Sequence, residues 1–256
     1  MRKKKLKWLR KIRDFFFPPR CTFCRRSLPA GTEHLICIAC ENNLPYCLAA
    51  DRCQRCGKPV EDGERCCRFC KSFQNSPYVR ISAPYMYQDA VRSALLRFKH
   101  ERYRCYADVF ARHMRAVVKH DCREVEFDCV VSVPPRLERM RREGYDQAAC
   151  LAQKLSAEMG IPRADGVLRQ RENRQKQSGL GYGERLENAK GNFVVQKPGS
   201  IVGKTVLLVD DICTTRATLW HCAFALRNAG AASVYCVTVA TTAGENRTEK
   251  HSEKND

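Results

Sequence analysis

The sequence predicts an α/β fold with a doubly wound parallel sheet, preceded by a small cysteine-rich module. From Pro77 onward, short apolar runs typical of buried strands alternate with segments whose apolar residues recur at helical spacing. Before that point hydrophobic periodicity is absent, and ten of the 17 cysteines lie between Cys21 and Cys70. A chain of 256 residues has room for one full domain and a smaller one.

The elements of the sheet domain follow in order. Strands are predicted at residues 79–87, 127–133, 206–209 and 233–240, where the pattern is typical of buried strands. Four helices are predicted from apolar stripes at helical spacing: Val91, Ala94, Leu95 and Phe98; Tyr106, Phe110, Met114 and Val117; Ala148, Leu151, Leu155 and Met159; Leu219, Cys222, Ala223 and Leu226. Gly160 and Gly230 are expected to end the last two helices, because glycine is favoured just after a helix C-terminus.

A sugar-phosphate site is predicted at residues 206–218, which read VLLVDDICTTRAT. Asp210 and Asp211 follow a buried strand, at the carboxyl end where open α/β sheets bind their ligands. Adjacent carboxylates suit a ribose diol, since each accepts hydrogen bonds from hydroxyl groups. The hydroxyls of Thr214, Thr215 and Thr218 and the free N–H groups of the following helix predict an anion in the turn. The alternative is a strand end with a solvated acidic turn.

Four CxxC pairs predict two tetrahedral zinc sites, since a zinc ribbon takes each pair of thiolates from one tight turn. The pairs are Cys21 with Cys24, Cys37 with Cys40, Cys53 with Cys56, and Cys67 with Cys70. The alternative is the disulfide framework of a secreted domain, which needs an export signal. Pro18 and Pro19 interrupt the N-terminal apolar stretch, so this stretch does not have the pattern of an export signal. Zinc sites are therefore favoured over disulfide bonds. Cys66 could replace Cys67 by a one-residue slip, but the CxxC spacing favours Cys67. The spacing leaves open whether the pairs join sequentially or in alternation.

The formal net charge of +18 predicts an anionic partner, which is a nucleic acid, a phosphorylated metabolite or a membrane surface. Basic residues concentrate at residues 2–13, 136–142 and 169–176. The run at 136–142 is equally well explained as a solvated helical turn. An N-terminal stripe predicts either an interfacial membrane helix or a helix packed on the cysteine module: Leu9, Ile12, Phe15 and Phe16. No apolar run approaches the roughly 18 residues of a membrane span.

Residues 206–218 resemble the phosphoribosyl diphosphate loop of type I phosphoribosyltransferases, in which two acidic residues precede a TTGAT turn. Arg216 stands where that family has glycine, which lets the loop backbone approach the 5′-phosphate closely. Arg216 is therefore expected either to crowd the phosphate or to bind it through its guanidinium.

The order of all segments resembles the ComF family of competence-associated proteins, which joins a double zinc ribbon to a phosphoribosyltransferase-type domain. The resemblance rests on an aromatic-Pro-Pro stretch before Cys21, the four CxxC pairs, the acidic loop, and three further stretches at residues 97–99, 132–147 and 177–193. It covers roughly residues 15–242 and implies a double zinc ribbon at 21–75 and a phosphoribosyltransferase-like domain at 77–242. Composition predicts a basic amphipathic N-terminal segment at residues 1–20 and a disordered tail at 243–256.

The resemblance also implies roles for individual residues. Asp210 and Asp211 are expected to bind the ribose hydroxyls at the catalytic centre. The 5′-phosphate is expected on residues 213–218, which we name the phosphate loop: Cys213, Thr214, Thr215, Arg216, Ala217 and Thr218. Lys99 and Arg136 are expected near the diphosphate, and Mg²⁺ is expected to accompany phosphoribosyl diphosphate.

ComF relatives are associated with the uptake of single-stranded DNA during natural transformation, beside a helicase and the uptake channel. The resemblance therefore implies a cytoplasmic competence protein that binds single-stranded DNA, with a peripheral contact at the inner face of the membrane as an option. The first alternative is an active, Mg²⁺-dependent phosphoribosyltransferase whose acceptor is unidentified. Asp210 and Asp211 support this alternative, whereas Arg216 counts against it. The second alternative is an inactive sugar-phosphate sensor or scaffold.

Overall fold

The computed structural model describes residues 14, 16–47, 52–61, 63–72, 75–101, 103–135, 140, 144–171 and 192–243. Its strands are β1 Ile81–Ser82, β2 Tyr85–Met86, β3 Cys129–Ser132, β4 Leu168–Gln170, β5 Phe193–Val195, β6 Thr205–Cys213 and β7 Ser233–Thr241. Its helices are α1 Ile38–Asn43, α2 Arg68–Ser72, α3 Asp89–His100, α4 Tyr106–Asp121, α5 Gln147–Met159 and α6 Ala217–Asn228, with a short 3₁₀ turn at Pro198–Ser200.

All strands of the central sheet are parallel, and their order is β1, β7, β6, β3. The short strand β2 also pairs with β7, nearer the carboxyl end of β7 than β1 does. β6 lies in the middle, where Val130 of β3 is opposite Leu207 and Cys236 of β7 is opposite Leu208. A strand with neighbours on both sides and helices above and below must be apolar on both faces, and residues 206–209 are all buried.

Helices cover both faces of the sheet, as the sequence predicts. Leu207 and Val209 of β6 pack in one core with α3, α4 and α5. Val206 and Leu208 pack in a second core with α6 and the β4–β5 hairpin. Because alternate side chains of one strand enter different cores, the sheet separates two layers. The prediction of a doubly wound α/β fold is confirmed.

The predicted helices occur where their stripes place them. Gly160 ends α5 in the left-handed conformation, with φ of 71°, and donates its N–H to the carbonyl of Ser156. The strand predicted at residues 79–87 is instead two short strands, β1 and β2, separated at Ala83 and Pro84. Pro84 has no N–H to donate, and its carbonyl accepts from the Cys47 N–H at 2.9 Å. The sequence also misses the antiparallel β4–β5 hairpin, whose three-residue strands are too short to show alternation.

The cysteine module packs on the sheet domain. The sequence suggests that metal alone holds this module, because it lacks hydrophobic periodicity. In the structure, Phe23, Leu28, Ile36 and Leu44 are buried in the same core as α3 and α4. The Phe23 ring centroid lies 5.7 Å from that of Tyr85 in an edge-on contact. These side chains come from irregular turns, so they pack in one core although they show no regular spacing in the sequence. The expectation that metal rather than a hydrophobic core holds the module is therefore wrong.

The second half of the module packs on the opposite face of the sheet. Cys53, Cys56 and Cys70 belong to the core that contains α6. The rings of Phe69 and Tyr78 both meet Trp220 of α6 edge-on, at centroid distances of 6.4 and 5.8 Å. The two halves of the cysteine module therefore lie on different faces of one sheet.

Several predicted segments fall outside the described residues. These are most of the N-terminal stripe, almost all of the basic run at 136–142, residues 172–191, and the tail from 244 onward. Phe16 is the described member of the stripe, and 69% of its surface is exposed. Among the residues that the structure describes, no helix combines the length and apolar content needed to cross a bilayer.

Candidate functional site

The two adjacent carboxylates lie at the carboxyl end of β6. Asp210 is opposite Thr238 of β7, and its Oδ1 accepts the backbone N–H of Asp211 at 2.8 Å. Because successive side chains of a strand point to opposite faces, Asp211 is directed to the α3 side of the sheet and Asp210 to the α6 side. Asp211 is buried and Asp210 is half-buried. The strand end thus presents one carboxylate toward each layer.

Lys99 meets Asp211 across the site. Its Nζ lies 2.8 Å from Oδ2 of Asp211, and only 15% and 11% of the two side chains are exposed. Lys99 stands in the last turn of α3, one helical turn after Leu95, whose burial fixes the orientation of the helix. The structure therefore brings together Lys99 and Asp211, which are 112 positions apart in the sequence. A partly desolvated ion pair is poorly screened by water, so it gives this end of the sheet a fixed charge pattern.

The phosphate loop leads from β6 into α6. Thr214, Thr215 and Thr218 are exposed, and α6 begins at Ala217 without a cap from the Arg216 side chain. The N–H of Ala217 lies 3.5 Å from Oγ1 of Thr215. A helix N-terminus carries partial positive charge and N–H groups that lack partners within the helix, and three hydroxyls surround this one. The arrangement suits a phosphate group.

Cys213 forms the base of the loop. Its side chain is buried, and burial raises the pKa of its thiol. Its carbonyl accepts the N–H of Thr242 at 3.1 Å and the Oγ1 hydroxyl of Thr241 at 3.3 Å. Cys213 therefore anchors the loop to β7, whereas the threonines after it are exposed.

Arg216 contacts the cysteine module. Its backbone is in the left-handed region, with φ of 70°, where glycine is favoured. Its guanidinium carbon lies 4.1 Å from the centroid of the Phe69 ring, and one of its amino groups lies 3.7 Å from Sγ of Cys56. The two alternatives expected from the sequence, crowding the phosphate and binding it, stay predictions. Local sequence carries no signal for the contact, because Cys56 is 160 positions away.

Two clusters of four thiols form the metal sites. The first cluster is Cys21, Cys24, Cys37 and Cys40, and the second cluster is Cys53, Cys56, Cys67 and Cys70. The pairs therefore join sequentially, and Cys67 rather than Cys66 belongs to the second cluster. None of the 17 cysteines, all of which the structure describes, forms a disulfide bond.

Both clusters have the geometry of a zinc site. Within each cluster the sulfur atoms lie within 4.8 Å of one another. Sγ of Cys24 is 3.6 Å from that of Cys37, and Cys56 and Cys67 are separated by the same 3.6 Å. Four sulfurs about 2.3 Å from one zinc ion lie about 3.8 Å apart at the corners of a tetrahedron. The observed spacing fits this value, and four thiolates are the ligands that structural zinc prefers.

Backbone N–H groups favour the thiolate form of Cys21 in the first cluster. The N–H of Cys37 points to Sγ of Cys21 at 3.5 Å, and the N–H of Cys40 points to Sγ of Cys37 at 3.4 Å. Burial raises the pKa of Cys21, but backbone donors from Cys24, Cys37 and Phe23 outweigh burial and bring the pKa to about 7. Since metals bind the thiolate, these donors prepare the turn for zinc.

Arg136, expected near the diphosphate, lies outside the described residues, so its position stays a prediction. Two residues of the same segment are described. Gln147 is buried and donates from Nε2 to the Lys99 carbonyl at 3.4 Å. Tyr145 is buried edge-on against Phe98, with ring centroids 5.6 Å apart. Both side chains hold α3 and α5 together beside the site.

A second surface combines arginine and tyrosine side chains, and the sequence gives no hint of it. We name it the basic aromatic surface: Arg25, Arg97, Tyr103 and Arg104, with the buried ring of Tyr106 stacked on Tyr103. The rings of Tyr103 and Tyr106 stack at 5.1 Å, and the guanidinium of Arg25 lies 4.8 Å from the Tyr103 centroid. Arg97 donates to the carbonyls of Thr22 and Phe23 at 2.9 and 2.8 Å, which joins α3 to the first cluster. Arg104 borders an open cavity of about 560 Å³, which is lined both by the cations of Lys154 and Arg163 and by the carboxylates of Asp108 and Asp146.

Comparison with known proteins gives two domain matches. The family model described as a double zinc ribbon domain matches residues 12–71, and the model described as a phosphoribosyl transferase domain matches residues 145–256. The first match agrees with the two thiol clusters. The second includes the strand end and loop that carry the adjacent carboxylates.

Curated relatives are similar over most of this chain. Competence protein F of Haemophilus influenzae is 27% identical over 222 residues, covering 84% of this chain and 93% of the relative. DNA utilization protein YhgH of Escherichia coli strain K12 is 27% identical over 222 residues, covering 85% of this chain and 94% of the relative. A crystal structure of adenine phosphoribosyltransferase aligns at 15% identity with a TM-score of 0.37, covering 56% of this chain and 82% of that one.

Proposed function

The chain belongs to the ComF family, and on this premise we propose that it handles single-stranded DNA during natural transformation and binds phosphoribosyl diphosphate. The names of two relatives, a competence protein and a DNA utilization protein, support the DNA role. The observation that carries the ligand is the strand end at Asp210 and Asp211, which leads through the exposed threonines Thr214 and Thr215 into the N-terminus of α6.

The basic aromatic surface is the proposed contact for single-stranded DNA. Tyr103 is half-exposed, its ring stacks on that of Tyr106, and the guanidinium of Arg25 lies 4.8 Å from its centroid. Proteins that bind single strands without sequence preference combine aromatic rings, on which bases stack, with cations that follow the phosphates. Arg26 and Arg104, which follow Arg25 and Tyr103 in the chain, are exposed, and the whole chain carries a formal net charge of +18.

Fluorescence anisotropy with a labelled single-stranded oligonucleotide tests the DNA role. Native protein is expected to bind, and log K is expected to fall linearly with log salt because binding releases counterions. Tyr103→Leu is expected to weaken binding by about one to two orders of magnitude, since stacking is worth about 1–3 kcal/mol per base. Tyr235→Leu removes a half-buried ring that packs against Phe127 instead, and should bind as native protein does. Absence of binding at low salt would refute this role.

The second part of the proposal is a site for phosphoribosyl diphosphate at the end of β6. The carboxylates of Asp210 and Asp211 accept hydrogen bonds from the ribose hydroxyls, and the phosphate loop receives the 5′-phosphate. Lys99 stands beside Asp211 and offers a cation to the diphosphate. Mg²⁺, which takes oxygen ligands from phosphates, would neutralise the diphosphate charge. Arg216 is held by Phe69, so the loop keeps its left-handed turn without glycine.

An active phosphoribosyltransferase is the second candidate, and the Lys99–Asp211 pair at the strand end favours it. Its assay is the release of pyrophosphate from phosphoribosyl diphosphate and Mg²⁺ in the presence of a panel of purine and pyrimidine bases. Release that depends on the base and is lost in Asp210→Asn/Asp211→Asn would establish transfer. Ligand binding without release is the outcome expected for a binding site.

We place the protein in the cytoplasm, where it works with the competence helicase and uptake machinery at the inner face of the membrane. The family membership and the reduced cysteines support this placement. Fractionation of competent and non-competent cells tests it, because membrane recovery that appears only in competent cells and is lost in high salt indicates a peripheral contact. Recovery in the periplasmic fraction would refute it.

A further inference from the structure

The C-terminal half of the phosphate loop contacts the second cluster. Arg216 precedes α6, and its guanidinium stacks on Phe69 at 4.1 Å and reaches Sγ of Cys56 at 3.7 Å. Phe69 lies in α2 between the cluster members Cys67 and Cys70. A cation over an aromatic face is attractive, and a metal-bound thiolate is a better hydrogen-bond acceptor than a thiol. The strength of this contact therefore depends on the state of the cluster.

The phosphate loop is also joined to the second cluster at its start. Lys58 is two residues after Cys56, and its buried Nζ donates to the carbonyl and to Oγ1 of Thr242 at 3.0 and 3.1 Å. Thr242 in turn donates from Oγ1 to the carbonyl of Thr214 at 3.4 Å. Its backbone N–H bonds the Cys213 carbonyl at 3.1 Å. One turn of the second cluster thus supports both ends of the loop.

The conformation of Arg216 shows why the contact matters. A non-glycine residue with φ of 70° is strained, and such strain persists only where surrounding structure holds it. The ring of Phe69 continues this packing to Trp220, one helical turn after Arg216, whose N–H bonds the Arg216 carbonyl at 2.8 Å. The cluster, the left-handed turn and the first turn of α6 therefore form one packed unit.

We propose that Arg216 is a positioning residue that couples the second zinc site to the phosphate loop, so that zinc in this site sets how tightly the loop holds a phosphorylated ligand. The role of the loop as a phosphate site rests on the proposed function. The coupling itself concerns residues of this chain and is measurable without ligand. It gives the arginine that replaces the family's glycine a task that glycine cannot perform.

Hydrogen exchange of the peptide spanning residues 213–219 tests the coupling directly. Phe69→Leu is expected to speed exchange of the loop amides roughly tenfold, the loss expected from a partly desolvated cation–π contact. Phe69→Tyr keeps the aromatic face and is expected to restore native exchange. Both variants should retain two zinc ions by elemental analysis, which shows that the fold of the cluster is intact. Native exchange in Phe69→Leu would overturn the proposal.

A second experiment removes the metal site instead of the ring. Cys56→Ser is expected to lower zinc to one ion per chain and to speed loop exchange as Arg216→Gly does. The double variant Cys56→Ser/Arg216→Gly is expected to exchange its loop amides little faster than either single variant, because both substitutions remove the same interaction. Cys66→Ser, which changes a neighbouring thiol outside the cluster, is the matched control and should be native in both measurements. Additive effects in the double variant would contradict the coupling.

A spectroscopic measurement distinguishes coupling from simple packing. With Co²⁺ in the clusters, Arg216→Gly is expected to shift the thiolate-to-metal charge-transfer band, because it removes an N–H group from Cys56 Sγ. An unchanged band would overturn the contact with the metal ligand. Titration with phosphoribosyl diphosphate and Mg²⁺ separates the two proposals. Binding by native protein with unchanged loop exchange in Phe69→Leu refutes the coupling alone. Altered exchange without any native binding supports the coupling and refutes the ligand.

Discussion

Asp121 is the buried charge that holds the second half of the cysteine module to the sheet, and Asp121→Asn is expected to destabilise the fold strongly. Its side chain is 1% exposed, and it lies 3.6 Å from Arg52 of the cysteine module and 3.4 Å from Arg80 before β1. It also accepts the hydroxyl of Ser82 at 2.7 Å. The asparagine keeps the shape and the Ser82 bond but leaves two guanidinium groups without their counter-charge.

The size of the effect follows from burial. Breaking one partner of a buried ion pair costs about 3–5 kcal/mol, because the other charge stays uncompensated. Arg52 is only 6% exposed and cannot rehydrate, whereas 27% of Arg80 is exposed and can recover some hydration. We therefore expect Asp121→Asn to lower the free energy of unfolding by the lower end of this range, about 3 kcal/mol. This loss corresponds to a fall in Tm of about 6–12 °C for a domain of this size.

The deficit is also expected to depend on pH. Burial raises the pKa of Asp121, but hydrogen bonds from His120 and Ser82 and the charges of Arg80 and Arg52 outweigh it and hold the pKa below its ordinary value. A carboxyl whose folded pKa is depressed stabilises the fold fully above its unfolded pKa of about 3.9, and loses that contribution as pH falls through the folded pKa. The difference between native and variant should thus be constant above about pH 5 and shrink below pH 4.

Urea unfolding at fixed zinc concentration, followed by circular dichroism across this pH range, provides the measurement. Asp108→Asn is the matched control, because Asp108 pairs with Lys154 at 2.6 Å but 52% of its side chain is exposed. An exposed pair contributes about 0–1 kcal/mol, and the control shares any loss of zinc in acid. If Asp121→Asn is no more destabilising than Asp108→Asn, or its deficit persists unchanged in acid, the reasoning from burial is wrong.

Two further predictions concern the cysteine module. Cys67→Ser is expected to lower zinc from two ions per chain to one, whereas Cys66→Ser should keep both, as elemental analysis of purified protein would show; equal losses would contradict the cluster membership. Gly57→Ala is expected to destabilise the fold by about 2 kcal/mol or more in urea unfolding, because φ is 67° and the new Cβ would lie 2.7 Å from the Ile81 carbonyl oxygen. Gly63→Ala is the control, because Gly63 also has a positive φ, 80°, but a Cβ there would have no atom within 4 Å. Its loss of stability is expected to be smaller, and the difference between the two variants gives the cost of the steric clash at Gly57.

Features that one element determines alone were predictable from the sequence. The stripe of α3, with Val91, Ala94, Leu95 and Phe98, is fully buried, since helix periodicity dictates which side chains share a face. The strand end at Asp210 and Asp211 follows from an apolar run that stops at two carboxylates. The CxxC spacing identified all eight cluster members, because each turn presents its own two thiols.

Features that join distant segments were not predictable. The sequential pairing of the CxxC turns, the burial of Phe23 against Tyr85, and the contact of Arg216 with Phe69 all depend on where folded elements meet. In a single sequence, Arg216 could only be judged against the turn around it. Its partner lies in a helix of the other module, so the role of the arginine became visible only in three dimensions.

The central claim is that the end of β6 binds phosphoribosyl diphosphate, and calorimetric titration with this ligand and Mg²⁺ tests it most directly. Native protein carrying two zinc ions is expected to bind. Asp210→Asn/Asp211→Asn is expected to lose at least about a hundredfold in affinity, since charge-assisted hydrogen bonds contribute about 1.5–3 kcal/mol each. Asp108→Asn should bind as native protein does. Absence of binding by native protein, or equal affinity in the double variant, would contradict the claim.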